Sequence, residues 1–264
     1  MNCCCWIQPK DTTEALLVIG GRDNLIQVLS LQKCKVIKLM TGHTAEILAL
    51  ERIARKEEEL LSISLDNTIR QWNVESGHCL AVYHLNETPN CIALDLPNNK
   101  FICSVGAELR QWDLVENNNK STTLTISTSQ NSLLANNPHK SPIDCIKLID
   151  DCIVSKSIDG KMYAWKIDQQ KIEREFKLKK TKWGRFDVSC DQSLLAVGNE
   201  KGSIVIFDYQ NAKMVNRLKF KRSKKPINDV AFDPHLNNLI AVSEPFIWRW
   251  EYKPDLENFI KKDK

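Results

Sequence analysis

Long apolar runs are missing from this 264-residue sequence, and nothing in it approaches the roughly 18 uninterrupted apolar residues of a helical membrane span. The opening MNCCCWIQPK lacks the basic-then-apolar layout of a secretory signal, so the expectation is a soluble, intracellular chain with no membrane partner. Glycine is scarce, at nine residues, and neither a phosphate-cradling loop nor an in-register pair of carboxylates can be found, which speaks against an enzyme. Aromatic content is only 7%, but 42% hydrophobic residues suffice for one proper core with little room for a second domain.

Cysteine, by contrast, is plentiful at ten residues. A chain this long needs no covalent staples and the placement is irregular, so disulfides are not implied. Cys91, Cys103, Cys145, Cys152 and Cys190 sit among Ile, Val, Leu and Phe, where a reduced thiol behaves as a small buried hydrophobe. In the dense run Cys3, Cys4 and Cys5, adjacent strand residues point to opposite faces, and neither His43 nor His78 has the spacing to complete a zinc set. No metal and no other cofactor is expected.

The net charge of +4 is mild, and its distribution says more. The runs KLKKTK (177–182), KFKRSKK (219–225) and KKDK (261–264) place the excess in the C-terminal third. Such runs are usually a solvated rim, and they also suit an acidic partner.

Internal repetition organises the chain. A unit of short apolar strands, a turn, and a strand ending in an aromatic plus a polar residue recurs six times. Its clearest copy spans residues 42–85, with strands read at 46–53, 60–64, 68–74 and 78–85. Aligned on the end of the third strand, Leu29, Trp72, Trp112, Trp165, Phe207 and Trp250 are separated by 43, 40, 53, 42 and 43 residues. The one long gap holds residues 115–142, an Asn- and Ser-rich stretch read as a polar loop insertion. A period of this length with four strands and a Trp-Asp-like dipeptide predicts an all-β fold, a WD-repeat β-propeller with six recognisable blades of four-stranded antiparallel sheet. The propeller is expected over 1–252 and a charged tail over 253–264.

Two repeats carry a polar set that would hydrogen-bond in a chain and so satisfy groups that are costly to bury. The first is His43, Ser62 or Ser64, Asp66 and Trp72, with Ser64 preferred. The second is His139, Ser155 or Ser157, Asp159 and Trp165, with Ser157 preferred. Position within the repeat explains these residues structurally, without a catalytic triad. The other repeats depart from the pattern: Gly106 and Lys201 stand where Asp66 does, and the last repeat is one residue short near Ser243. Those repeats are expected to rely on apolar packing.

At the two ends, Cys3 to Gln8 reads as an innermost strand, and the last unit offers only three clear strands. The tail from Lys253 would have to supply a fourth, and Pro254 and its charges make it a poor strand. The expectation is a propeller that has lost a blade at its N-terminus.

Three segments resemble the extra sex combs and embryonic ectoderm development family, the WD-repeat subunit of Polycomb repressive complex 2. They are SPIDCIKLIDDCIVSKSIDGKMYAW (141–165), WGRFDVSCDQSLLAVGNEKGSIVIFD (183–208) and LIAVSEPFIWRWE (239–251), the last ending in the Ile-Trp-Arg-Trp hallmark. Weaker resemblance runs back through GHTAEI and LLSISLDNTIRQWN to CCCW. The resemblance implies a seven-bladed, non-catalytic nuclear scaffold. It implies binding to a helical segment of a SET-domain histone lysine methyltransferase on one face. On the other, an aromatic cage would take a trimethylated lysine of a histone tail, since aromatic faces attract a quaternary ammonium. Carried over residue by residue, Trp183 falls on an aromatic cage position, Lys182 and Asn2 on two others, and Arg185 on the arginine beside the cage.

Residues 179–183 and 221–226 both link an outermost strand to the next innermost one, so propeller geometry predicts a basic patch able to make weak phosphate contacts with nucleosomal DNA. The competing reading is a general WD-repeat adaptor, such as a ubiquitin-ligase receptor or trafficking platform. It accounts for the repeats but not for the Ile247-Trp248-Arg249-Trp250 ending.

Overall fold

The structure is a computed structural model and describes residues 3–9, 14–56, 58–95, 97–116, 124–126, 132–133, 138–149, 151–166, 171–178, 184–219, 225–233, 238–253 and 258–261. Every regular element among them is a β-strand, and the chain divides into two compact units, Met1–Asn137 and Pro138–Lys264. The strands form six blades of the β-propeller type, three in each unit, five of them four-stranded and one with an added fifth strand.

In the first unit, blade 1 is built from β1 (Cys3–Ile7), β2 (Leu16–Gly20), β3 (Ile26–Ser30) and β4 (Lys35–Met40). Blade 2 follows with β5 (Ile47–Arg52), β6 (Glu59–Ser64), β7 (Thr68–Asn73) and β8 (Cys79–His84). Blade 3 has β9 (Pro89–Asp95), β10 (Lys100–Val105) and β11 (Glu108–Asp113). The insertion departs from the expected loop, because β12 (Leu124–Ile126) adds to β8 as a parallel fifth strand and β13 (Ser132–Leu133) pairs with β11 as the fourth strand of blade 3. A side-chain clamp starts this detour. The Gln71 amide accepts from the N–H of Val115 at 3.0 Å and donates to its carbonyl at 2.9 Å, and Tyr83 donates to the Asp113 carbonyl at 3.1 Å. Gln71 thus pairs with one residue of backbone as a neighbouring strand would, which satisfies polar groups in a buried setting.

The second unit has blade 4 from β14 (Ile143–Ile149), β15 (Cys152–Ser157), β16 (Lys161–Lys166) and β17 (Lys171–Lys177). Blade 5 comprises β18 (Phe186–Val188), β19 (Leu194–Gly198), β20 (Ser203–Asp208) and β21 (Lys213–Lys219). Blade 6 comprises β22 (Asp229–Phe232), β23 (Asn238–Ser243), β24 (Phe246–Lys253) and β25 (Asn258–Lys261). The last blade therefore does have an outer strand, contrary to expectation: Asn258 pairs with Lys253 and Lys261 with Trp250. Pro254 lies outside the described residues, and Asn258–Lys261 of the tail is part of the blade.

The alignment landmark has a structural counterpart. Leu29, Trp72, Trp112, Trp165 and Phe207 are each the penultimate residue of a third strand. In blades 1, 2, 4 and 5 a register shift to the outer strand falls beside that residue, a bulge that adds local twist. The indoles pack backwards. Trp72 joins Val18, Ile26 and Val28 of blade 1 in one core cluster, Trp112 joins blade 2, Phe207 joins blade 4 and Trp250 joins blade 5. Because blades 1 and 3 cover its two faces, β6 is buried at every position. Of the cysteines expected in the core, Cys103, Cys145 and Cys152 are buried, whereas Cys91 is half-buried and Cys190 is exposed in the turn after β18. All ten are free thiols.

Candidate functional site

Two histidine-centred relays dominate the buried polar structure. In blade 2 the Trp72 indole N–H donates to Ser62 Oγ at 2.8 Å, Ser62 Oγ lies 2.6 Å from His43 Nε2, and His43 Nδ1 lies 2.8 Å from Asp66 Oδ2. The Asp66 carboxylate can only accept, which places a ring proton on Nδ1, and with that tautomer Nε2 accepts from the Ser62 hydroxyl, whose oxygen takes the indole N–H. Thr68 Oγ1 and the N–H of Thr44 complete the shell of Asp66 at 2.6 and 3.0 Å. Burial pushes this carboxyl up, but the hydrogen bonds from His43, Thr68 and Thr44 outweigh it and hold the group well below the usual carboxylate range.

The serine of this relay is Ser62 and not the preferred Ser64. Both lie on the face that carries Trp72, but Leu60 is directly opposite Trp72 and Ser62 is the diagonal neighbour. Ser64 instead donates to the Ala45 carbonyl at 3.0 Å and accepts the Asp66 N–H at 3.2 Å. The connectivity Asp66–His43–Ser62 is that of a hydrolase triad, yet Ser62 has no exposed surface and its oxygen already accepts the indole proton. No substrate carbonyl can approach such a hydroxyl.

Blade 4 repeats the device with an extra link. Trp165 donates to Ser155 Oγ at 3.1 Å, Ser155 Oγ is 2.7 Å from His139 Nε2, His139 Nδ1 is 2.9 Å from Ser157 Oγ, and Ser157 donates to Asp159 Oδ1 at 2.5 Å. Both candidate serines are used, and the carboxylate sits one hydroxyl away from the ring. Burial therefore dominates His139 and lowers it to about 4, against the opposing pull of Asp159. In blade 3, where Gly106 replaces the aspartate, the Trp112 indole nitrogen meets no acceptor among the described residues and stacks on Phe101 at 5.5 Å.

Sequence reasoning missed a buried ion pair beside the second relay. Lys156 Nζ lies 2.8 and 2.6 Å from the two Asp144 oxygens, with side-chain exposures of 0% and 4%. Asp144 is the extra residue where the register of β14 on β15 shifts. The signal was a lysine between two serines in an otherwise apolar strand.

The inner strands of blades 4 to 6 carry further charge. Lys147 Nζ pairs with Asp187 Oδ1 at 2.6 Å, and Asp187 Oδ2 accepts the N–H of Phe232 at 2.7 Å. Burial raises Asp229, with the cations of Arg185 and Lys147 pulling against it. Arg185 is exposed. Its N–H donates to the Asn228 carbonyl at 3.2 Å, which ties blade 5 to the start of blade 6, and its own carbonyl accepts the N–H of Gly198 within blade 5 at 3.5 Å. Trp183, Lys182, Asn2 and most of the two basic runs lie outside the described residues. Among the described residues, no group of three or more His, Cys, Asp or Glu side chains is placed to hold a metal ion.

No protein-family model matches the chain. It is 25% identical to the Polycomb group protein FIE1 of Zea mays, over 93% of this chain and 60% of that protein. It is 26% identical to the Polycomb group protein FIE1 of Oryza sativa subsp. japonica, over 93% of this chain and 73% of that protein. The Polycomb protein esc of Drosophila melanogaster is 24% identical over 94% of this chain and 68% of its own length. The chain thus spans less than two thirds of the maize relative. Along most of its length it is similar to Polycomb group proteins of the FIE and esc type.

Proposed function

We propose that this chain is a non-catalytic scaffold of a Polycomb-type repressive complex in the nucleus, holding a helical segment of a SET-domain histone lysine methyltransferase. The observation that carries this reading is similarity to Polycomb group proteins across 93% of the chain, on a fold whose most triad-like residues are sealed in the core. Trp183 and Arg185 are the residues proposed to meet a methylated histone tail, and the loops at 179–183 and 221–226 to touch nucleosomal DNA. Phosphate contacts of that kind weaken as salt rises, so a salt wash separates them from the stable partners. The test is purification of the tagged protein from its native cells, a salt wash, and mass spectrometry of what remains bound. Recovery of a SET-domain methyltransferase is the expected result. Ligase or coat subunits with no methyltransferase would overturn the reading in favour of a general WD-repeat adaptor.

A further inference from the structure

Within the second unit, blades 4 and 5 meet along one apolar cluster, where Val154, Met162 and Phe176 of blade 4 pack with Val197, Val205 and Phe207 of blade 5. Cross-strand partners share a face, so the registers fix what each outer strand turns towards this junction. From β21 these are Met214, opposite Phe207, Arg217, opposite Val205, and Lys219, opposite Ser203. From β17 they are Phe176, opposite Met162, and Arg174, opposite Ala164. Phe176 and Phe207 are buried, with ring centroids 5.6 Å apart, whereas Arg217 and Lys219 are exposed.

The cations of this junction are not in the same state. Arg174 is satisfied by the protein: its guanidinium lies 4.9 Å from the Tyr209 ring centroid, donates to the Gln210 carbonyl at 3.1 Å and pairs with Glu173 at 3.6 Å. Arg217 and Lys219 form no ion pair among the described residues, and β21 itself carries no acidic residue. The Arg217 guanidinium reaches the Met214 thioether at 3.9 Å, a contact that neutralises no charge. Two residues apart on one face, Arg217 and Lys219 are separated by about 7 Å along the strand.

Continuity along the chain says which anion fits. Lys219 ends β21 and opens the run KFKRSKK (219–225), and Lys177 ends β17 and opens the run KLKKTK (177–182). Both basic runs thus issue from the two strands that flank the junction. An acidic peptide would need carboxylates matched to uneven spacings, whereas a phosphodiester backbone carries a charge at every step. The planar fork of an arginine also suits phosphate.

We propose that Arg217 and Lys219 bind two backbone phosphates of duplex DNA at the junction of blades 4 and 5. This rests on the reading that the loops at 179–183 and 221–226 touch nucleosomal DNA, and it places part of the contact on strand residues whose spacing the sheet register fixes.

The experiment is fluorescence anisotropy of the full chain with a labelled duplex of about 20 base pairs, from about 50 to 200 mM salt. Arg217→Ala combined with Lys219→Ala should weaken binding at least about tenfold at the lowest salt. The slope of log affinity against log salt should become shallower by about two. Lys213→Ala removes a cation from the same strand but opposite Asp208, on the other face, and should leave the slope unchanged. Lys221→Ala combined with Arg222→Ala tests the loop separately. Arg217→Gln with Lys219→Gln replaces the alanine pair if circular dichroism shows that pair to be misfolded. A Lys213→Ala loss as large as that of the strand pair, or tighter binding of a poly-glutamate peptide than of DNA, would overturn the proposal. Loss in the loop pair alone would overturn the strand site and keep the loop reading, and a wild-type chain with no affinity for DNA would overturn both.

Discussion

A buried indole must place its N–H on an acceptor, and in blades 2 and 4 one serine serves both the indole and a histidine. Removing it leaves two buried groups unpaired, at about 1–3 kcal/mol each. Ser62→Ala should therefore cost about 2–6 kcal/mol in urea unfolding, while Ser64→Ala, which breaks bonds to partners at the edge of the relay, should cost about 1 kcal/mol. Equal losses would place the indole acceptor elsewhere. Spacing alone located the histidines, aspartates and tryptophans. It left the choice of serine open because alternate residues share a face, and only the diagonal reach of the indole separates them. His139 adds a pH dependence. Its ring is held neutral, at about 4 in the fold against about 6.5 in an unfolded chain, so between those values the unfolded state binds the extra proton. Stability from this residue is complete above about pH 6.5 and is lost as pH falls towards 4. Melting temperature should drop across that window in the wild-type protein, and His139→Gln should flatten this part of the profile.

Each blade depends on how closely its neighbour can approach. At the end of β2 a Cβ on Gly20 would meet Ile47 Cγ2 at 2.9 Å, and at the end of β19 a Cβ on Gly198 would meet Ile227 Cγ2 at 2.6 Å and the Ile227 carbonyl at 2.8 Å. The same strand position thus uses glycine at two blade junctions, for space. Gly198→Ala forces backbone apart and should cost about 2–3 kcal/mol. Gly106 is the contrast, with φ +57° and only Glu87 at 3.7 Å, so Gly106→Asn should shift the urea midpoint little, since Asn tolerates that conformation. Both changes are read by equilibrium unfolding, and a harmless Gly198→Ala would contradict the packing of β19 on blade 6. Strands with alternating patterns were legible to within a residue or two, as in β5 to β8. The short β12 and β13 were not, because they are defined by pairing to β8 and β11 and to the Gln71 clamp, which no local pattern announces. Likewise β25 was dismissed on Pro254, although Asn258–Lys261 pairs with residues 250–253.

Across the whole chain the repeat made six blades legible, because five of the six repeats bury an aromatic at the landmark, Trp72, Trp112, Trp165, Phe207 and Trp250, and the spacing survives even where the polar relay does not. The candidate ligand site was less so. It draws single residues from loops, where no periodicity operates, and its proposed aromatic, Trp183, lies outside the described residues. Arg185 is where stability and recognition can be separated. Its backbone bonds to Asn228 and Gly198, while the residue is exposed and its cation also acts on Asp229. Arg185→Ala keeps both backbone bonds and should leave the melting temperature within about 2 °C of wild type, as surface changes usually do. On the proposed reading, the guanidinium donates to the backbone of a histone tail. Affinity for a trimethyl-lysine histone peptide should then fall about ten- to a hundredfold, the worth of one hydrogen bond to a charged group. Titration by fluorescence anisotropy measures this, with an unmethylated peptide as control. Unchanged affinity with an unchanged melting temperature would remove Arg185 from the site and leave the scaffold reading intact. A large drop in melting temperature would show that its side chain, and not only its backbone, joins blade 5 to blade 6.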